Sequence, residues 1–81
     1  MKVRVQFFSR LRDLAGGSTL DVEVPGTPTV NDLLQTVYAR APNLRAQDRN
    51  ILIGAGLEFV DRNYLLKPGE EISLMPPVQG G

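Results

Sequence analysis

Polar and apolar residues alternate from the first positions of the chain. In Lys2-Val3-Arg4-Val5-Gln6-Phe7-Phe8, Val3, Val5 and Phe7 share one side, which is the period-two signature of a half-buried strand over 2–8. Phe8 falls out of phase and belongs to the other face. The spacing then changes. In Ser9-Arg10-Leu11-Arg12-Asp13-Leu14-Ala15, Leu11 and Leu14 are three apart. That predicts one or two helical turns with Ser9 as N-cap, ended by Gly16-Gly17. Arg10 and Arg12 mark either a binding face or a solvated turn. Alternation resumes at Thr19–Val24, with Leu20, Val22 and Val24 inward, as expected for a second strand antiparallel to the first. Pro25-Gly26-Thr27-Pro28 stops it.

The main helix opens at Thr29. Its hydroxyl can accept from the amide near Asp32, whose carboxylate can answer in a capping box. Val30, Leu33, Leu34, Val37, Tyr38 and Ala41 then form one stripe, spaced as a buried helix face requires. Tyr38 reads as a core aromatic with its hydroxyl at the edge. Pro42 ends the helix, because the residue before a proline is pushed out of the α region. Residues 43–49 read as a loop holding a short helical turn, anchored by Leu44.

Three more strand segments follow. Residues 50–53 predict a short strand, Gly54-Ala55-Gly56 a turn, and 57–60 a short edge strand. Asp61-Arg62-Asn63 turns the chain, and Leu65-Leu66 are expected in the core. Lys67-Pro68-Gly69-Glu70 suits a type II turn. Glu71–Met75 is the last strand, with Ile72 and Leu74 inward and Met75 on the outer face, where it can join Val78 in a small apolar patch.

Only one helix carries a broad apolar stripe, so it covers one face of a sheet and leaves the other open. The economical packing is a mixed sheet around that helix, with a late strand parallel to the first. This is an α+β fold, the β-grasp or ubiquitin-like arrangement, spanning 1–75, with 76–81 as a flexible tail.

Composition narrows the chemistry. The chain has 81 residues, 42% of them hydrophobic, with nine basic and nine acidic side chains. Balanced charge offers no field for nucleic acid or anionic lipid. No apolar run is long enough for a membrane span and no signal peptide leads the chain, so a cytoplasmic location is expected. Cys and His are both absent, which removes thiol nucleophiles, thiolate metal sites and the usual proton shuttle. No metal site is expected. A lone Gly54-Ala55-Gly56 lacks the context of a nucleotide-binding loop.

The last six residues, Pro76-Pro77-Val78-Gln79-Gly80-Gly81, carry the chemistry that remains. Prolines cannot extend a ladder and stiffen the exit from the sheet. Six extended residues reach roughly 20 Å. Val78 offers an apolar grip. Gly80 and Gly81, without side chains, can thread a narrow channel. The Gly81 carboxylate is a poor electrophile until attack on the α-phosphate of ATP makes an acyl-adenylate, which a sulfur donor can turn into a thiocarboxylate. No residue here looks able to run that step, so a separate activating enzyme is required.

Phe7–Gly16, Thr29–Leu34, Leu66–Ile72 and above all Pro76–Gly81 together resemble the MoaD family, the ubiquitin-like small subunits of molybdopterin synthase. Gln79 departs from the Ser or Thr common there, and Gly54 from a common Asn. The resemblance implies a sulfur carrier rather than an enzyme. A MoeB-type enzyme would adenylate Gly81 with ATP, and a sulfur donor would complete the thiocarboxylate. A MoaE-type large subunit would supply the catalytic residues and accept the tail. There, cyclic pyranopterin monophosphate would receive sulfur within a heterotetramer. Gly81 would bear the sulfur, Gly80 give clearance, and Met75, Pro76, Pro77, Val78 and Gln79 dock. No bound cofactor is implied. A carrier of the ThiS type, a carrier for tRNA thiolation, and a plain β-grasp interaction module remain open.

Overall fold

The computed structural model describes residues 1–77. Its elements run β1 (Lys2–Phe7), α1 (Arg10–Ala15), β2 (Thr19–Glu23), α2 (Val30–Arg40), a 3-10 helix (Pro42–Asn50), β3 (Leu52–Ala55), β4 (Glu58–Val60) and β5 (Glu71–Met75). The strands form one mixed sheet in the order β2-β1-β5-β3-β4. β1 pairs antiparallel with β2 and parallel with β5. This is the expected β-grasp, with β5 at the centre of the sheet between β1 and β3.

The alternating strands and the α2 stripe meet in one core. Val3, Val5 and Phe7 from β1, Ile72 and Leu74 from β5, and Val30, Leu33, Leu34, Val37 and Tyr38 from α2 are all buried. Thr29 caps α2 as its spacing predicts: its side chain accepts from the Asp32 amide, and Asp32 accepts from the Thr29 amide. The Lys67–Glu70 turn closes with Glu70 N–H donating to the Lys67 carbonyl and Gly69 at φ 79°. Only glycine adopts that angle without strain.

Several boundaries differ from the expectation. β1 ends at Phe7, and Phe8 is exposed. Ser9 precedes α1 but makes no side-chain cap; its backbone sits at φ 53°, ψ −132°, outside the extended region an N-cap residue normally takes. The 43–49 loop is a continuous 3-10 helix, with Leu44 fully buried as its anchor. The third strand is displaced to 52–55, so Gly54 and Ala55 are ladder residues and the turn falls at Gly56-Leu57. Pairing with β5 outweighs the turn preference of glycine, since Gly54 aligns with Ser73 and Ala55 with Ile72. Of the Leu65-Leu66 pair, only Leu66 enters the core; Leu65 is exposed.

Candidate functional site

The face of the sheet away from α2 is open, and its composition changes along β5. Burial of Ile72 and Leu74 directs Glu71, Ser73 and Met75 outward. Near the start of β5, Glu71 aligns with Arg4, which aligns in turn with Asp21. Arg4 Nε donates to Asp21 Oδ1 at 3.0 Å. That charged hydrogen bond holds the Asp21 carboxyl below the usual carboxylate range. In the middle, Gln6, Ser73, Gly54 and Phe59 stand in one row across four strands. At the end of β5, Met75 aligns with Leu52.

The outer face across β5, β3 and β4 is more apolar. Phe8 is 42% exposed, Phe59 72%, and Leu57 wholly so. With Gly54, Ser73 and Met75 they line a shallow groove of about 220 Å³. Gly54 forms its floor because a Cβ there would meet Met75 Cε at 3.2 Å. An apolar surface of this kind, beside polar neighbours, is typical of a protein-docking face. A larger groove, about 450 Å³, lies on the β1–β2 side where β5 begins, among Lys2, Arg4, Asp21, Glu70 and Glu71. Its charges are mixed in sign, and the chain does not leave the sheet there.

Met75 is half-buried on the outer face, as its parity requires, and Pro76 and Pro77 follow it, also half-buried. Met75 lines the apolar groove, and the two prolines follow it in sequence. Val78, Gln79, Gly80 and Gly81, the remaining sequence-predicted site residues, lie outside the described residues. Leu52, which aligns with Met75, and Leu57 and Phe59, which line the same groove, are residues the sequence pattern did not single out. The signal was available in part: Ile51 and Ile53 alternate with Leu52, and continuing that alternation past Ile53 would have turned Leu52 and Gly54 outward.

A second polar cluster has a structural role. Tyr38 is buried in the core, and its hydroxyl donates to Asp48 Oδ1. Arg62 Nη1 donates to the same oxygen at 2.9 Å, and Arg62 Nη2 to the Asp48 carbonyl. Arg45 stacks over the Tyr38 ring at 5.2 Å. The Tyr38 hydrogen bond, supported by Arg62, keeps the Asp48 carboxyl below its ordinary range against partial burial. Burial first, and then Asp48, raises the Tyr38 hydroxyl. Such a tyrosine is no general base at neutral pH. The cluster pins the 3-10 helix to α2 and to the segment after β4. Among the described residues, no three carboxylates lie close enough to hold a metal ion, and no helix is long and apolar enough to cross a membrane.

Comparison with known proteins agrees with the fold. The ThiS family model matches residues 5–81. The molybdopterin synthase sulfur carrier subunit of Drosophila erecta is 31% identical over 100% of this chain and 92% of its own length. Among solved structures, the small archaeal modifier protein SAMP1 of Haloferax volcanii superposes with a TM-score of 0.89 at 28% identity, covering both chains fully. A protein–protein complex of subunits 1 and 2 of the molybdopterin-converting factor from Helicobacter pylori contains a chain with TM-score 0.70 and 26% identity, again over the whole of both chains. The chain belongs to the ThiS family, and its likeness to the MoaD-type carrier subunits runs from end to end.

Proposed function

We propose that this ThiS-family chain is a sulfur carrier in molybdopterin synthesis, a subunit that delivers sulfur rather than an enzyme in its own right. One observation supports this above the others. The central strand leads out of an apolar groove into Pro76-Pro77 and towards Gly80-Gly81, in a chain matched throughout by molybdopterin synthase sulfur carrier subunits. The body of the domain would dock through the groove and present the tail.

The chemistry follows from the acyl group of Gly81. Its carboxylate oxygen attacks the α-phosphate of ATP, pyrophosphate leaves, and an acyl-adenylate forms. Sulfide-level sulfur from a donor then adds to the carbonyl. AMP departs, one proton is released, and a thiocarboxylate remains. A MoeB-like enzyme consumes the ATP, and this chain binds no cofactor of its own. In a MoaE-like large subunit, which supplies the catalytic residues, the thiocarboxylate gives its sulfur to cyclic pyranopterin monophosphate. Two deliveries complete a dithiolene, and a heterotetramer with two carriers suits that count. Gly80 gives clearance for the threaded end, while Met75, Pro76, Pro77, Val78 and Gln79 bear on the partner. A cytoplasmic setting fits these partners.

The test is intact-mass analysis after incubation with ATP, a MoeB-type enzyme and a sulfur source. A gain equal to exchanging one oxygen for sulfur, localised to Gly81, is expected. No gain on a chain that the enzyme demonstrably binds would overturn the reading. The likeness to SAMP1 favours one second reading, transfer of the same activated acyl group to lysines of other proteins. Isopeptide-linked conjugates would reveal it. Stable capture of a thiazole synthase or of a tRNA-thiolation enzyme, with no capture of a MoaE-like subunit, would move the chain to another carrier branch. Docking with no change at Gly81 would leave a plain interaction module.

A further inference from the structure

The chain has no net charge, but its charges are sorted in space. Arg10, Arg12, Arg40, Arg45 and Arg49 make up five of its nine basic side chains. All five are exposed. None of them forms an ion pair with a described residue. They lie in α1, in the 3-10 helix and at the end of α2.

The sheet register places these elements at the end from which the tail leaves. β1 runs parallel to β5 with Phe7 opposite Leu74, so the chain beyond Phe7 continues past the end of β5 into α1, with Arg10 and Arg12. β3 runs antiparallel and begins with Leu52 opposite Met75, so the residues just before it, including Arg49, flank the same exit from the other side. α1 packs against the 3-10 helix, which joins the two sides. Asp13 and Asp48 are the acidic residues within these elements, and Asp48 is already held by Arg62. At the other end acids and bases are mixed, with Glu23 opposite Lys2, Asp21 paired with Arg4, and Glu70 and Glu71 where β5 begins.

From this distribution we infer that the arginines form a cationic collar around the tail exit, and that its partner is an acidic rim around the protein channel that receives the tail. The inference rests on the carrier reading for the identity of that channel. Unpaired arginines at the rim of an interface steer approach and suppress wrong orientations more than they add affinity. The apolar groove beside them gives short-range grip but no direction at a distance. Excess positive charge at one end of the domain, against mixed charge at the other, turns it tail-first towards an acidic opening. A molecule of zero net charge gains little long-range pull towards a polyanion such as RNA, which favours the protein rim.

The probe is a MoeB-type activating enzyme, with binding of the fluorescently labelled chain followed without ATP at about 50 mM and about 300 mM NaCl. The natural chain is expected to associate roughly tenfold more slowly at the higher salt. A variant with Arg10→Glu, Arg12→Glu and Arg49→Glu should lose about tenfold or more in association rate at low salt and should lose most of its salt dependence. Dissociation should change little. Lys2→Glu with Lys67→Glu, at the opposite end, is the control and should associate no more slowly than the natural chain. The same triple change to Gln, with unaltered melting, separates charge from folding.

Salt-independent association of the natural chain overturns the collar, and so does equal slowing by the control. Salt-sensitive binding to single-stranded RNA but not to the enzyme also overturns it. Binding with the expected salt dependence but no mass change at Gly81 would keep the collar and remove the carrier chemistry.

Discussion

Met75 faces Leu52 across the β5–β3 ladder, and its terminal methyl lies over Gly54, where a Cβ would come within 3.2 Å. The neighbour is the far end of a flexible side chain, and Gly54 does not have a positive φ. Gly54→Ala is therefore expected to fold. The gain from a stiffer unfolded chain, about 0.4–1 kcal/mol, opposes the cost of shifting Met75. Chemical denaturation should find the net change within about 1 kcal/mol. Capture of a MoaE-like subunit should weaken, because the groove loses its floor. A large loss of stability would mean that Met75 cannot move.

Phe59 separates docking from folding. It is 72% exposed on an edge strand, and threonine keeps the strand preference. Phe59→Thr should alter stability by no more than about 0.5 kcal/mol. It should cost about 1–2 kcal/mol of partner binding, roughly tenfold in Kd. Calorimetric titration of the variant into the large subunit checks this. Unchanged affinity would remove Phe59 from the docking face.

Core and tail should also come apart under mutation. Leu34 is fully buried in the α2 stripe, and Leu34→Ala should cost about 2–5 kcal/mol through the cavity it leaves. The buried residues of the core run from Val3 to Leu74. One alanine added after Gly81 should therefore leave the denaturation midpoint in place. It should abolish the thiocarboxylate, since the acyl group of Gly81 becomes an amide. Mass spectrometry of the extended chain reads this directly; sulfur on the extended protein would refute the assignment of Gly81.

The Tyr38–Asp48–Arg62 pin predicts a pH dependence. The folded state holds the Asp48 carboxyl below its ordinary value, first through the hydrogen bond from Tyr38. A depressed folded value stabilises the protein above the unfolded value of about 3.9, and the stabilisation is lost as pH falls through the folded value. Asp48→Asn should thus lower the melting temperature at neutral pH and differ less from the natural chain below about pH 3. The Asp48 side chain is 40% exposed, so solvent screening keeps the effect small. A gap between variant and natural chain that widens with acid would contradict the pin.

Much of this architecture is visible in periodicity alone. Val3, Val5 and Phe7, the α2 stripe and the Thr29–Asp32 box each depend on neighbours a few residues away, and all stand where their spacing puts them. The misplaced elements depend on partners distant in sequence. Gly54 reads locally as a turn but is held in β3 by Ser73, nineteen places later. Ser9 reads as a cap, but the junction between β1 and α1 holds its backbone at φ 53° and no cap forms. Leu65 and Leu66 look alike, and only the bridge from Leu65 to Thr29 assigns one outward and the other to the core.

The order of residues was enough to predict a β-grasp domain built on one helix, in a chain without thiol or imidazole side chains. These are properties of composition and short-range spacing. Tertiary structure alone decided that Phe8, Leu57, Phe59 and Met75 share one groove, and that α1 and the 3-10 helix, distant in sequence, pack together. Surfaces of that kind are made by strand register, which brings distant stretches side by side, and no local period along the chain encodes it.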